Sequence, residues 1–358
     1  MTSRCRSSLD VVITIQHPAH VHFFRNIIKG LKSAGHDIWL FARHKDVTEE
    51  LLQAYDLPYT ILAGEAESLS QLVGMQLQYE WRLYRAARQI NPDVMMSIGG
   101  VAVSHVAPLV GAKSIIFIDN EDVMSNYAST PFADVVCTPQ RFESDYGEKH
   151  VRYPGYHELA YLHPDEFEPN LTLLAAHGVD PDDRFCVVRF VGWNAHHDVG
   201  EGGFSADGRR RLISRLAEHG QVYITSESPL PAWFDKFRLP VSADVIHDLL
   251  YYANVYIGDS QTMATEASVL GTPAIRSNSF AEGSDMSNFR ELEQRYDLLF
   301  STSDEIEATE QAVRWFRNPH SKSKWNQKRR ALIEDKINVT QFVIELVDNE
   351  VTKEVVVA

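Results

Sequence analysis

The chain is poor in cysteine, poor in lysine and without a long apolar run, and each shortage excludes something. Cys5, Cys137 and Cys186 are too few and too scattered for a disulfide framework or a thiolate metal site. A reduced, cytoplasmic setting is therefore expected. No apolar stretch approaches the ~20 residues that span a bilayer. The N-terminal stretch, with Arg4 and Arg6 before a strand, lacks the apolar region of a signal peptide. Acidic residues outnumber basic ones 49 to 34, for a formal charge of −15, and only 11 of the basic residues are Lys. Such a balance argues against a nucleic-acid partner, which needs a basic face for the phosphates. It suits instead a high-salt cytoplasm, where ions screen self-repulsion. Short repeats and low-complexity segments are lacking, and no Gly-x-Gly-x-x-Gly follows the first apolar run, which removes that dinucleotide fingerprint.

What is present is a folded composition, 44% hydrophobic over 358 residues, long enough for two cores. Strand and helix signals alternate along the first half. Strands are predicted at Leu9–Gln16, Asp37–Arg43, Pro58–Leu62, Asp93–Ile98, Ser114–Ile118 and Val135–Thr138. Helices are predicted at Val21–Ser33, Asp46–Tyr55, Leu69–Ile90 and Val101–Val110. A Pro-, His- and acid-containing linker follows from Tyr153 to about Asn170, and a second alternation begins at Phe185–Val191. The pattern predicts an α/β protein with two parallel sheets, each covered by helices on both faces. The expected division is 1–160, 161–335 and a tail, 336–358, that packs back on the first domain.

The most informative run is Gly258-Asp-Ser-Gln-Thr-Met-Ala-Thr-Glu266, followed by Ala-Ser-Val-Leu-Gly-Thr-Pro-Ala-Ile275. It reads as strand, polar turn, helix, glycine stop and strand. Ser260, Gln261 and Thr262 fall where the helix begins, and its N–H groups and positive dipole end favour a phosphate. Glu266 lies one turn on, placed to accept hydrogen bonds from a ribose. The alternative is that Ser260 only caps the helix and Glu266 is solvated.

This run resembles the donor-site motif of the GT-B superfamily, particularly UDP-N-acetylglucosamine 2-epimerases and the lipid-linked N-acetylglucosaminyltransferases of murein synthesis. With His17-Pro-Ala-His-Val-His-Phe-Phe24 and Tyr153-Pro-Gly-Tyr-His-Glu-Leu-Ala-Tyr-Leu-His163, the chain also looks like an archaeal and bacterial family of unknown function with that fold. The resemblance implies two Rossmann-type domains facing an interdomain cleft. It implies a diphosphate held by the Ser260–Thr262 turn, a ribose bound by Glu266, and a base cradled near Ser226 and Ile246. It also places a second-domain loop of Gly192, Trp193, Asn194 and His196 beside the donor.

In the first half, His17, His20 and His22 sit on the turn after the first strand. Imidazole can act as general base, or stabilise a diphosphate when protonated; helix capping and packing are the competing roles. Their His-x-x-His-x-His spacing also suits a metal, but no carboxylate partner is recognisable, so no metal and no cofactor is expected. Gly99 and Gly100 permit close backbone approach to a ligand. Asp119 and Glu121, in Asp119-Asn-Glu-Asp122, are the candidate acid–base pair, with capping of the next helix as the alternative for this cluster. His17, His20, Asp119 and Glu121 are the candidate catalytic set, and His22, Gly99 and Gly100 would touch substrate.

The expected activity is metal-independent sugar transfer from a nucleotide-diphosphate sugar, UDP-linked, to a glycan or lipid-linked acceptor. The chain would act as a monomer or homodimer, with peripheral membrane contact left open. The basic helix carrying Lys324, Lys328, Arg329, Arg330 and Lys336 offers either a solvated face or a lipid-headgroup contact. Three rivals stand beside transfer: a sugar 2-epimerase or hydrolysing enzyme, a metal-dependent hydrolase on the His17/His20/His22 cluster, and a non-catalytic nucleotide-sugar-binding protein. The Gly-Thr-Arg-Pro-Glu opening of the 2-epimerases is absent, which counts against epimerisation.

Overall fold

The computed structural model describes residues 8–64, 69–121, 123–180, 182–192, 202–227, 229–281 and 286–357. Two compact units emerge. One runs up to Glu166 and resumes at Ile337; the other is Phe167–Lys336.

The first unit is built on seven parallel strands: β1 (Asp10–Ile15), β2 (Asp37–Arg43), β3 (Thr60–Ala63), β4 (Val94–Ile98), β5 (Lys113–Phe117), β6 (Val135–Pro139) and β7 (His150–Tyr153). Their order is β3-β2-β1-β4-β5-β6-β7. Every residue from Val11 to Ile15 is buried, as expected for a strand with both faces covered by helices. Val12, Met95, Ile116 and Val136, on successive central strands, belong to one apolar cluster with Val103 and Val106 of the helix Val101–Val110. The chain order reverses direction between β1 and β4, the switch point at which α/β sheets open a crevice at their carboxyl edge.

The expected linker from Tyr153 to Asn170 is corrected here. Its first half completes the first unit, because Tyr153, Tyr156, Leu159, Ala160, Tyr161 and Leu162 are all buried. Five large, mainly apolar side chains in ten residues outweigh the local Pro and Gly signals. The helix Val339–Val357 lies against this segment and against the helix Pro18–Ser33. Thr340 Oγ1 donates to Ala160 O at 2.6 Å, and His36 Nε2 lies 3.0 Å from Asp348. The charged stretch Lys322–Asn349, expected to be mostly helical, is so, as the two helices Ser321–Asp335 and Val339–Val357.

The second unit has five parallel strands: β8 (Phe185–Phe190), β9 (Gln221–Ser226), β10 (Val255–Gly258), β11 (Ala274–Ser277) and β12 (Leu299–Thr302). Their order is β12-β11-β10-β8-β9, which sets its own switch point between β8 and β10. Gly258 is needed there. A Cβ would meet Arg189 O at 2.5 Å and the Tyr256 hydroxyl at 2.8 Å. Both halves are thus the parallel Rossmann-type sheets that the alternation predicts.

Candidate functional site

In the second unit, polar groups gather where β8, β9, β10 and β11 end. Asp259, directly after β10 and buried, accepts from Val191 N at 2.7 Å. Arg189, near the end of the otherwise apolar β8, donates to Thr225 Oγ1 at 2.7 Å and to Glu227 at 2.6 Å. The other Glu227 oxygen accepts from Gly192 N at 3.0 Å. Beyond β11, the Asn278 amide donates to Asp259 O at 3.1 Å. The backbone at 191–192 is therefore held by two carboxylates, and the turn after β10 is held from two sides. Trp193, Asn194 and His196 lie outside the described residues.

Ser260 caps the helix Gln261–Val269, its hydroxyl accepting from Met263 N at 3.4 Å. Capping is thus established for Ser260; it leaves the positive end of the helix dipole at the carboxyl edge of the sheet. Gln261 and Thr262, in the first turn, are half-buried. The opposite end of the helix is met by a cation, with a second basic side chain nearby. Arg329 Nε donates to Val269 O at 2.7 Å, and Lys322 donates to Tyr251 O and Thr272. Burial lowers the Lys322 ammonium to about 7. Arg329 thus complements the dipole from behind.

Glu266 is neither solvated nor open. It is 3% exposed, and its Oε1 lies 2.9 Å from Nε2 of His247, which is 1% exposed. The pairing comes from packing of the helices Ile246–Tyr252 and Gln261–Val269. Ser226 ends β9 and Ile246 begins its helix; both are half-buried. His247, Arg189, Glu227 and Asp259 were not singled out from the sequence. One signal was there to find: each lies at or next to the end of an apolar strand or the start of a helix, and Arg189 interrupts the run Phe-Cys-Val-Val-Arg-Phe.

In the first unit, His17, Gly99 and Asp119 follow the adjacent strands β1, β4 and β5. His17 is the N-cap of the helix Pro18–Ser33, its Nδ1 accepting from Ala19 N at 3.2 Å. His20 Nδ1 accepts from Gln16 N at 3.3 Å, which leaves the ring proton on Nε2. Burial, then the neighbouring His17 and His157, hold His20 well below the usual imidazole range, against the opposing pull of Asp119. A neutral ring with its proton on Nε2 donates; it is not set up as a base or as a cation. His22 is in different company. It is buried, 3.2 Å from the Tyr55 hydroxyl and packed on the Tyr161 ring. The three histidines are therefore not one metal cluster, and among the described residues no group of three or more His, Cys, Asp and Glu side chains is arranged to hold a metal.

Gly99 and Gly100 both adopt positive φ, 71° and 68°. A Cβ on Gly100 would strike Ile116, whereas one on Gly99 would enter open space. Asp119 sits 3.2 Å from His157 Nδ1 with its carboxylate 32% exposed. Burial raises Asp119, but the charge and hydrogen bond of His157 prevail and hold it below the usual carboxylate range. Glu121, on the same turn, is half-buried, and Asn120 O accepts from the Asn126 amide at 2.8 Å. His157 lies within the Tyr153–His163 run, where nothing local marks it as the partner of Asp119.

Of the basic residues in and just after the helix Ser321–Asp335, Lys328 bonds Asp297 and Lys336 forms a buried 2.8 Å pair with Glu291, whereas Lys324 and Arg330 are exposed. No helix among the described residues is long and apolar enough to cross a membrane.

Residues 9–164 match the model of the family described as "Protein of unknown function (DUF354)". A protein of Methanocaldococcus jannaschii, "Uncharacterized protein MJ0665", is 20% identical over 286 residues, covering 75% of this chain and 81% of its own. The solved structure of Staphylococcus aureus MnaA with UDP superposes with a TM-score of 0.69 at 11% identity, over 98% of both chains. Spinosyn forosaminyltransferase SpnP gives 0.63 at 15% identity, over 97% of this chain and all of that one (100%). The Methanocaldococcus jannaschii UDP-GlcNAc 2-epimerase bound to UDP-GlcNAc and UDP gives 0.62 at 12%, over 87% and 94%. The family match and these folds agree with the resemblance carried by the motifs, and the chain has a GT-B-like fold.

Proposed function

We propose that the chain is a glycosyltransferase that takes a sugar from a nucleotide diphosphate, UDP-linked, and passes it to a glycan or lipid-linked acceptor. One observation carries the reading. At the switch point of the second sheet, the capped helix start Ser260–Thr262 stands beside a backbone at 191–192 that Asp259 and Glu227 hold in place. A helix start of this kind favours a diphosphate without a metal ion. Glycosyltransferases and UDP-bound proteins among the solved structures of like fold support the same assignment.

In this reading Gln261 and Thr262 bind the diphosphate through their backbone, and Ser226 and Ile246 flank the base. Glu266 receives the ribose hydroxyls; since His247 already engages one oxygen, the ribose shares the carboxylate or displaces the imidazole. In the first unit, Asp119, held ionised by His157, takes the acceptor proton, and His20 donates through Nε2. Glu121, His17 and Gly99 line the acceptor side.

A second reading is a sugar 2-epimerase or hydrolysing enzyme, favoured by the epimerase's comparable fold similarity. Incubating the protein with UDP-GlcNAc, with and without candidate acceptors, separates the two. Transfer requires acceptor; free sugar or the 2-epimer formed without one establishes the rival. Binding with neither product leaves a nucleotide-sugar sensor.

A further inference from the structure

Apolar exposure is concentrated on one part of the first unit. Among the described residues twelve large hydrophobic side chains are exposed, and seven of them are Leu77, Trp81, Leu109, Val123, Met124, Tyr127 and Phe132. They belong to the helices Leu69–Ile90, Val101–Val110 and Ser125–Ser129 and the turns beside the last. His105 ties the three together. One ring nitrogen lies 3.2 Å from Glu80, the other 3.0 Å from Ala128 O, and its ring meets Phe132 edge-on at 5.1 Å. The exposed groups thus form one neighbourhood, with Met124 (85% exposed) and Tyr127 (84%) at its most open part. Contiguous exposed apolar surface of this kind marks a contact.

Charge says what the contact is with. Leu77, Trp81, Arg85 and Arg88 recur at helical spacing on one face. An open groove of about 370 Å³ is lined by Trp81, Tyr84, Arg85, Arg88 and Gln89. The three helices carry Arg82, Arg85 and Arg88 against the single carboxylate of Glu80, which His105 engages, in a chain that is otherwise strongly acidic. Arg82 is bonded to Leu62 O; Arg85 and Arg88 are exposed and make no ion pair among the described residues. A second copy seated by two-fold symmetry would set this face against itself, with arginines outnumbering the half-buried carboxylates of Glu80 and Glu121 on both sides. An anionic bilayer supplies both what they lack and a bed for Trp, Tyr, Phe, Met and Leu at the headgroup boundary.

We propose that this face, the arginine-lined Trp81 groove with the Met124/Tyr127/Phe132 apex, docks the protein on an anionic phospholipid surface. The inference does not rest on sugar transfer and is tested without nucleotide. The full chain is sedimented with vesicles of phosphatidylcholine alone and of phosphatidylcholine mixed with phosphatidylglycerol. Binding is expected only to the anionic vesicles, and Arg85→Gln with Arg88→Gln should weaken it roughly 25-fold, about fivefold per arginine. Met124→Ser with Tyr127→Ser should weaken it as well, whereas Arg330→Gln, on an exposed residue elsewhere, should not. All these positions are exposed, so the variants fold. Equal binding to both vesicles, no binding to either, or equal loss with Arg330→Gln overturns the proposal. So does a dimer in vesicle-free solution that the Met124/Tyr127 variant dissociates, which would make the occupant a second copy.

Discussion

Replacing Glu266 separates its structural from its binding role. Glu266 and His247 are both nearly inaccessible and 2.9 Å apart. Glu266→Ala removes the carboxylate that the His247 imidazole engages, and losing a buried hydrogen bond to a charged group costs about 1.5–3 kcal/mol. Glu266→Gln keeps an oxygen of the same reach, so the loss of stability should fall to about 1 kcal/mol. Nucleotide binding should respond differently. A hydrogen bond from a ribose hydroxyl to a carboxylate is worth about 1.5–3 kcal/mol, so Glu266→Gln should bind UDP some 10- to 150-fold more weakly. Chemical denaturation and titration calorimetry read the two effects, with His247→Gln completing the cycle. If Glu266→Ala is as stable as the parent, the pair contributes nothing. If Glu266→Gln is folded and binds UDP unchanged, Glu266 has no place in the site.

Three further outcomes are expected. Gly258→Ala should cost about 1–3 kcal/mol, since its methyl group would press on Arg189 O and force β8 and β10 apart; an unchanged denaturation midpoint contradicts this. Ser260→Ala should lose about 0.5–1 kcal/mol with the cap, and a diphosphate added in calorimetry should bind more weakly; equal affinity removes the hydroxyl from the site. The third concerns pH. His20 is held below its unfolded range, mainly by burial, so the folded state binds fewer protons than the unfolded one. Its contribution is complete above the unfolded pKa of about 6.5 and is lost as pH falls toward the folded value, by up to ~1.4 kcal/mol per pH unit. His20→Gln should flatten the acid side of the stability profile. It should not abolish the slope, because His150 is shifted the same way by burial. A profile that keeps its full slope refutes the assignment.

Much of the architecture was legible because parallel strands are buried on both faces and read as short apolar runs, as in Leu-Asp-Val-Val-Ile-Thr-Ile. The segments missed are those without such a run. β7 is His-Val-Arg-Tyr and β12 is Leu-Phe-Ser-Thr, four residues each, and pairing with a neighbour makes them strands. The Tyr153–Asn170 stretch misled for the opposite reason: its Pro, His and acids suggested a linker, while its tyrosines are core. The site divides in the same way. A cap such as Ser260 is a local event and can be read from spacing. His247–Glu266 and Asp119–His157 join residues distant in the chain, and only the packing of helices and strand ends brings them together. Nor could sequence give His20 its tautomer, because that depends on the Gln16 amide.

The most direct measurement is a crystal structure of the protein soaked with UDP. The diphosphate is expected within hydrogen-bond reach of the backbone N–H groups of Gln261 and Thr262, with the ribose on the Glu266 side. A diphosphate bound elsewhere, while that helix start carries only water, would contradict that expectation.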